Sequence, residues 1–336
     1  MKASSPLKSS SPKSLSYASA LHPLPMRDLY PPITPYSQGF LSVDDTHTIY
    51  WEQSGNPDGI PVIVLHGGPG AGATAIHRRF FDPDFYRIII FDQRGAGRSH
   101  PLGSLTNNTL SDILDDTEKL RLHLKIDRWN LFGGSWGSTL ALAYAQKHPE
   151  RCISLTLRSI FLMEQYEIDW FMTGMATIFP EAWENFVEGR DQSSLLKTYY
   201  EDLTGKDDRA AIEAALRWNA YESTCASFYP QKETLVSDDQ RFYALAMAKI
   251  EAHFFHTQVI EPEDSLLKNI RKIRSIPATI IQGRYDMICP MASANRLHLA
   301  WPEADYIIVP DAGHSFLDPT LRTRLIETTE SHKSLK

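Results

Sequence analysis

Gly133-Gly134-Ser135-Trp136-Gly137 has the form G-x-S-x-G. A serine nucleophile held at a tight strand-to-helix turn needs small neighbours, because the turn is strained and the backbones crowd. Both flanking elements are legible: the strand-like run Trp129–Phe132 before it, and the Ala/Leu-rich stretch Ser138–Lys147, a helix ending near Pro149, after it. The start of that helix favours developing negative charge. A serine hydroxyl is a weak nucleophile and requires a base oriented by a third group. His314, in Asp311-Ala312-Gly313-His314-Ser315, directly follows the run Tyr306–Val309 and is the candidate base. Asp286 follows Ala278–Gln282 and is the candidate orienting acid. Asp311 is a rival acid, but three residues from the base it is read as shaping the turn.

Acyl transfer also needs donors for an oxyanion. The backbone N–H of Trp136 is one candidate, and the loop His66-Gly67-Gly68-Pro69-Gly70, after the run Pro61–Leu65, supplies the other, with Gly68 first and Gly67 next. That loop lacks the lysine of a phosphate-binding loop. The chain order Ser135, Asp286, His314 is the order of an α/β-hydrolase. His66 is read as bracing its glycine-rich loop. His253-x-x-His256 has neither the H-E-x-x-H pattern nor a cysteine partner, so no metal is expected. Cys152, Cys225 and Cys289 are odd in number and far apart, which suits a reducing compartment.

These residues require a scaffold. Short apolar runs at Phe40–Val43 and Thr48–Trp51 flank Asp44-Asp45 as an antiparallel hairpin. Pro61–Leu65, Arg87–Phe91, Trp129–Phe132, Ile153–Leu157, Ala278–Gln282 and Tyr306–Val309 read as buried strands, with a helix over Leu110–Leu124 between two of them. Apolar strands alternating with helices predict a mostly parallel sheet buried on both faces, with functional groups beyond the strands' carboxyl ends. Residues 162–268 break the rhythm with Trp, Tyr, Phe, Met and Glu and no clear strand pattern, and are read as an inserted helical cap. The core is then 36–161 plus 269–336. Residues 1–35 form a separate extension: Met1–Ala20 holds eight serines and three lysines, and proline recurs at 23, 25, 31, 32 and 35. Such a segment cannot offset its ordering entropy and is expected to be disordered. Its serine-rich, acid-poor start also fits an organelle import sequence, although arginine is absent before Arg27.

The motifs His66-Gly67-Gly68-Pro69-Gly70, Asp92-Gln93-Arg94-Gly95-x-Gly97-Arg98-Ser99 and Gly133-Gly134-Ser135-Trp136-Gly137-Ser138 together resemble the proline iminopeptidase family, over about residues 29–320. The resemblance implies a serine peptidase that releases N-terminal proline from peptides without metal or organic cofactor. Trp218-Asn219-Ala220-Tyr221-Glu222 resembles the family's first acidic cap segment, and the stretch Ala248–Phe255 its second. By that resemblance Glu222 and Glu251 bind the imino group, and Phe161, Phe171 and Phe255 line the proline pocket. Phe171 stands where the family usually has tyrosine, and Tyr221 where it has tryptophan, departures that bear on the pocket. On composition alone each glutamate is one more solvated helix residue. Asp92, Arg94 and Arg98 are read as one buried charge network bracing the loops.

With 34 Lys and Arg against 41 Asp and Glu, a net charge of −7 argues against a nucleic-acid binder. No apolar run approaches the ~20 residues of a membrane helix. Hydrophobic residues at 42% and charged residues at 22% suit a globular protein with a real core, and the cytoplasm is the expected location. The expected activity is that of a prolyl aminopeptidase. An esterase or amidase on the same scaffold is the first alternative, and a non-catalytic binding protein the second.

Overall fold

The computed structural model describes residues 25–226 and 238–335. An eight-stranded sheet runs through it, formed by β1 (Ser37–Ser42), β2 (Thr48–Gly55), β3 (Ile60–Leu65), β4 (Tyr86–Phe91), β5 (Trp129–Ser135), β6 (Cys152–Ile160), β7 (Ala278–Gly283) and β8 (Asp305–Val309). The strand order is β1-β2-β4-β3-β5-β6-β7-β8. The hairpin β1–β2 joins β4 antiparallel, and every pairing from β4 to β8 is parallel. After β3 the chain steps to β4 on one side and returns to β5 on the other. That reversal opens a crevice beyond the carboxyl ends of β3 and β5, where α/β sheets bind ligands.

The strand residues alternate between two cores, as a period of two demands. Ile63, Leu65, Ile89 and Phe91 point into the larger one, while Val62, Val64, Ile88 and Ile90 point into the smaller. Both faces are therefore covered, which explains the near-continuous apolar runs. Helices α1 (Leu110–His123) and α2 (Trp136–Lys147) close one face. Thr109 caps α1, accepting from Asp112 N–H at 3.2 Å while Asp112 accepts from Thr109 N–H at 3.1 Å. Ten of the twelve residues of α2 are buried, so its Ala/Leu composition reflects packing on every side.

Among the described residues, five α-helices lie between β6 and β7: α3 (Gln165–Met172), α4 (Pro180–Val187), α5 (Leu195–Thr204), α6 (Asp208–Ala226) and α7 (Asp238–Thr257). They share an aromatic centre in which Phe186 stacks on Tyr199 at 4.5 Å and on Tyr221 at 4.4 Å. Tyr221 also donates its hydroxyl to the Phe171 carbonyl at 3.2 Å. Its position is structural, inside the helical layer, so the departure from tryptophan there does not touch the pocket directly. Then come α8 (Met291–Ala300) and α9 (Pro319–His332). Leu321, Leu325 and Ile326 of α9 fill the smaller core.

Residues 1–24, most of the expected extension, lie outside the described residues. Its remainder is tied to the body: Arg27 N–H donates to Thr323 Oγ1 at 3.0 Å, Tyr30 N–H to the Arg79 carbonyl at 2.9 Å, and the Tyr30 hydroxyl to Glu330 at 2.5 Å. Docking on α9 starts within the proline-rich segment because Tyr30 and Ile33 supply apolar contact there. No helix among the described residues is long and apolar enough to cross a membrane.

Candidate active site

Ser135 sits where β5 turns into α2, with φ 57° and ψ −130°. A non-glycine residue in this region costs about 1–3 kcal/mol, which the surrounding packing must offset. The neighbouring glycines are sterically required. A Cβ on Gly133 would lie 2.2 Å from the Gly137 carbonyl oxygen, and one on Gly137 would lie 2.0 Å from that of Leu65. The motif is thus the outcome of three backbones meeting at one point. Ser138 Oγ donates to the Ser135 carbonyl at 2.7 Å and accepts from Phe161 N–H at 3.1 Å, tying the elbow to the end of β6.

The loops after β7 and β8 bring the other two members together. His314 Nδ1 donates to Asp286 at 2.9 and 3.1 Å. Burial alone would raise the Asp286 carboxyl; the His314 ring, the Ser159 hydroxyl and the Cys289 N–H outweigh it and hold the group below its ordinary value. The charged, acceptor-only carboxylate selects the tautomer with Nε2 free to take a proton. Ser135 Oγ and His314 face the same cavity. The nearest recorded partner of Oγ is Cys289 Sγ at 3.9 Å, and it is not hydrogen-bonded to His314 among the described residues. Rotation about one staggered torsion redirects the hydroxyl, and such bonds commonly tighten only with substrate bound.

His66 holds the glycine loop. Its Nδ1–H donates to the Gly67 carbonyl at 2.9 Å, its Nε2 accepts from Gln93 N–H at 3.0 Å, and burial lowers its pKa, favouring this neutral form. Gln93 in turn accepts from Trp136 Nε1 at 2.9 Å. The two oxyanion candidates, the Gly67-Gly68 segment and Trp136, are therefore linked through one side chain. A Cβ on Gly67 would stand 3.5 Å from Ser135 Cβ, which shows how closely the loop approaches the nucleophile. The charged residues of the next loop form two networks rather than one. Asp92 binds Arg98 at 2.7 Å, and Arg98 reaches Glu52 at 3.1 Å; Arg94 separately binds Asp116 at 2.6 Å and Asp44 at 3.1 Å. They part because Arg94 turns toward α1 while Arg98 turns back over β2.

Opposite the serine, a small pocket is walled by Phe161, Phe171 and Phe255, with Glu222 and Glu251 among its lining. The Phe171 and Phe255 rings are 5.4 Å apart, and those of Phe161 and Phe255 6.0 Å. Glu251 is buried and accepts from Trp218 Nε1 at 2.7 Å. Burial drives Glu222 up to about 7, with His314 pulling the other way; burial and the neighbouring Glu222 drive Glu251 well above its ordinary value. Enclosing two carboxyls together disfavours charging both at once.

Three residues of this site carried no sequence signal. Glu167 lines the small pocket, accepts N–H bonds from Leu162 and Glu164 at 3.0 Å and a short bond from Ser293, and is raised by burial to about 7. Cys289, three residues after Asp286, donates its N–H to that carboxylate at 2.8 Å. Arg158, at the end of β6, donates to the His314 carbonyl at 2.5 Å. Asp286, Cys289 and His314 present possible metal-ligand atoms within 4.8 Å of one another. The Asp286 oxygens are already taken by the imidazole and the Cys289 N–H, and burial pushes the Cys289 thiol well up, so this group has the character of a hydrogen-bonded triad.

Residues 60–319 match the family profile described as alpha/beta hydrolase fold. A proline iminopeptidase of Arabidopsis thaliana is 51% identical over 315 residues, 92% of this chain and 83% of the relative. A probable proline iminopeptidase of Leptolyngbya boryana is 49% identical, covering 91% and 97% of the two chains. Among solved structures, a proline iminopeptidase of Mycobacterium smegmatis superposes with a TM-score of 0.58 at 16% identity, over 88% of this chain and 99% of the other. An esterase of Exiguobacterium antarcticum does so with a TM-score of 0.54 at 20% identity, over 88% and 98%. These two structures share the fold, whereas the sequence relatives share the chain nearly end to end. With a strained serine at the β5–α2 turn, an imidazole–carboxylate pair beside it and that degree of identity, the chain belongs to the proline iminopeptidase family of α/β-hydrolases.

Proposed function

We propose that this protein is a serine aminopeptidase that releases N-terminal proline from peptides. The observation that carries the reading is the pair Glu222 and Glu251 in an aromatic pocket that opens onto Ser135. Neither carboxyl would be kept in such an apolar enclosure without a cation to receive. A prolyl terminus supplies one, a secondary ammonium on a compact apolar ring. With the ring between Phe161, Phe171 and Phe255 and the nitrogen on the carboxylates, the prolyl carbonyl is presented to Ser135. A residue preceding proline would turn the ammonium into a neutral amide and forfeit the pairing with Glu222 and Glu251, which favours cleavage at the terminal bond.

Ser135 then attacks the prolyl carbonyl as His314 Nε2 takes the hydroxyl proton. The N–H groups of Trp136 and of Gly68 or Gly67 stabilise the oxyanion, one such donor being worth about 3 kcal/mol. His314 passes its proton to the departing amine, and water releases proline from the acyl-enzyme by the same route. Asp286 keeps the imidazole oriented throughout. The test is hydrolysis of proline arylamide beside its N-acetyl derivative, with Ser135→Ala and fluorophosphonate labelling as controls. Cleavage of the free amine alone, with labelling lost in S135A, supports the reading. Equal cleavage of both substrates points to a general amidase, and absence of labelling in folded protein points to a binding protein.

A further inference from the structure

The small aromatic pocket shares Gly68, Ser135 and Glu222 with a larger cavity of about 810 Å³ that continues past His314 to Phe316. With proline in the first, the residue that follows it must enter the second, because Ser135 stands where the two meet. The walls of the second cavity then select that residue.

One wall comes from the cap. Leu216, Asn219, Ala220, Ser223 and Ala226 of α6 line the cavity at the three- and four-residue spacing of a single helix face. Ala220, Ser223 and Ala226 are small, which hollows that face. Asn219 spends its amide N–H groups on the Ala215 and Ala244 carbonyls at 2.7 and 3.0 Å. Leu216 and, from α7, Met247 are half-buried apolar residues of the lining that are packed in neither core of the protein. Apolar side chains so placed gain by covering apolar surface of a ligand.

The second wall comes from the sheet domain. The Phe316 ring lies 5.1 Å from that of His77 and 5.8 Å from that of Phe80, and all three line the cavity. Burial lowers His77 to about 4, so its imidazole is uncharged at neutral pH. Among the described lining residues the one carboxyl is Glu222, at the junction with the proline pocket. The one guanidinium, Arg158, is already engaged. Its Nη1 donates to the His314 carbonyl and to Ser159 Oγ, and its other edge lies on Gly134, where a Cβ would come within 2.4 Å of Nη2 and 2.5 Å of Nε. The Phe316 ring is 5.7 Å from it, and Asp286 and Asp318 supply the neighbouring negative charge. A charged side chain brought into this cavity would shed water without gaining a partner.

Resting on the prolyl aminopeptidase reading, we infer that the larger cavity is a subsite for a bulky apolar residue directly after proline, held between Leu216 and Met247 of the cap and Phe316 of the sheet domain. Peptides beginning Pro-Phe or Pro-Leu are then favoured over those beginning Pro-Gly, Pro-Glu or Pro-Lys. The placement follows from the mechanism. His314 must reach the leaving nitrogen, and Phe316 is two residues further along the same loop. The Cβ of the leaving residue is two bonds from that nitrogen, about 2.5 Å away, so its side chain enters the cavity beside His314.

The experiment measures kcat/KM for Pro-Phe-NH2, Pro-Leu-NH2, Pro-Gly-NH2, Pro-Glu-NH2 and Pro-Lys-NH2 in the wild type, Leu216→Ala and Phe316→Ala. All five are amidated so that no terminal carboxylate intervenes. In the wild type Pro-Phe-NH2 should exceed Pro-Gly-NH2 and both charged peptides by about tenfold or more. Truncating a wall should shrink the ratio of Pro-Phe-NH2 to Pro-Gly-NH2 by about threefold or more, and such a fall in either variant supports the subsite. Equal handling of the five peptides by the wild type overturns the inference, as does preference for a charged residue. A ratio unchanged in both variants also overturns it, for then these side chains only support the fold. Leu216 is packed in neither core, so L216A decides alone should F316A not fold. Cleavage of the peptides without an apolar preference removes this inference only; no cleavage of any proline substrate removes the aminopeptidase reading as well.

Discussion

Trp218 donates its indole N–H to Glu251 Oε2 at 2.7 Å, from α6 to α7, while its ring lies 5.3 Å from that of Phe171. One side chain thus orients the second carboxylate and backs the pocket wall. Trp218→Phe keeps most of the wall and removes the bond. It should raise KM for proline arylamide by about tenfold with little change in kcat, since a hydrogen bond to a charged group is worth about 1.5–3 kcal/mol. Steady-state kinetics on the folded variant checks this.

Glu251→Gln removes charge rather than orientation. The expected result is a loss of about 100-fold in kcat/KM for proline arylamide, with hydrolysis of a simple acetyl ester spared. A parallel loss on both substrates would show that Glu251 does not act through the substrate amine.

The carboxyl pair also predicts two pH effects. Glu222 is raised to about 7 by burial, and Glu251 well above its ordinary value. As pH rises through about 7 the pair sheds protons and attracts a cationic proline more strongly, so KM for proline arylamide should fall, a step absent from the acetyl ester. For stability, a carboxyl raised on folding contributes fully below its unfolded value of 4.5, and that contribution is lost as pH rises through the folded value. Glu251→Gln should therefore melt above the wild type at about pH 8, and the two should converge near pH 4.

Asp286→Asn preserves shape but no longer enforces the tautomer of His314. A drop of about 10⁴-fold in kcat with KM nearly unchanged is expected. Circular dichroism would confirm that the fold is retained.

His332 is buried among Ser154, Thr156 and Thr279, and burial lowers its pKa to about 4. A histidine depressed on folding contributes stability above its unfolded value of 6.5 and loses it as pH falls toward the folded one. Urea denaturation should show about 3 kcal/mol of stability lost across that interval. Replacing His332 by Gln should flatten the slope.

Much of this protein was readable along the chain, where the governing forces are local. The unbroken apolar runs Pro61–Leu65 and Arg87–Phe91 mark strands buried on both faces, and observed β3 and β4 nearly coincide with them. The glycines around Ser135 announce the elbow because only the smallest residue fits where backbones come within 2.0–2.2 Å of a would-be Cβ. Position just after two expected strands, in the expected chain order, nominated Asp286 and His314, and their 2.9 Å bond agrees with it. Glu222 and Glu251 differ from any helix glutamate only through their surroundings, and family resemblance rather than pattern singled them out. Burial turns them from solvated charges into a coupled pair. Arg158, Glu167 and Cys289 were invisible for the same reason. Arg158 and Ser159 lie beyond the apolar stretch 153–157, yet β6 continues to Ile160 because both are buried beside the triad. Backbone sterics and side-chain periodicity are written residue by residue. A group's proton affinity and its partners depend on what distant segments bring against it, and only the folded chain sets that.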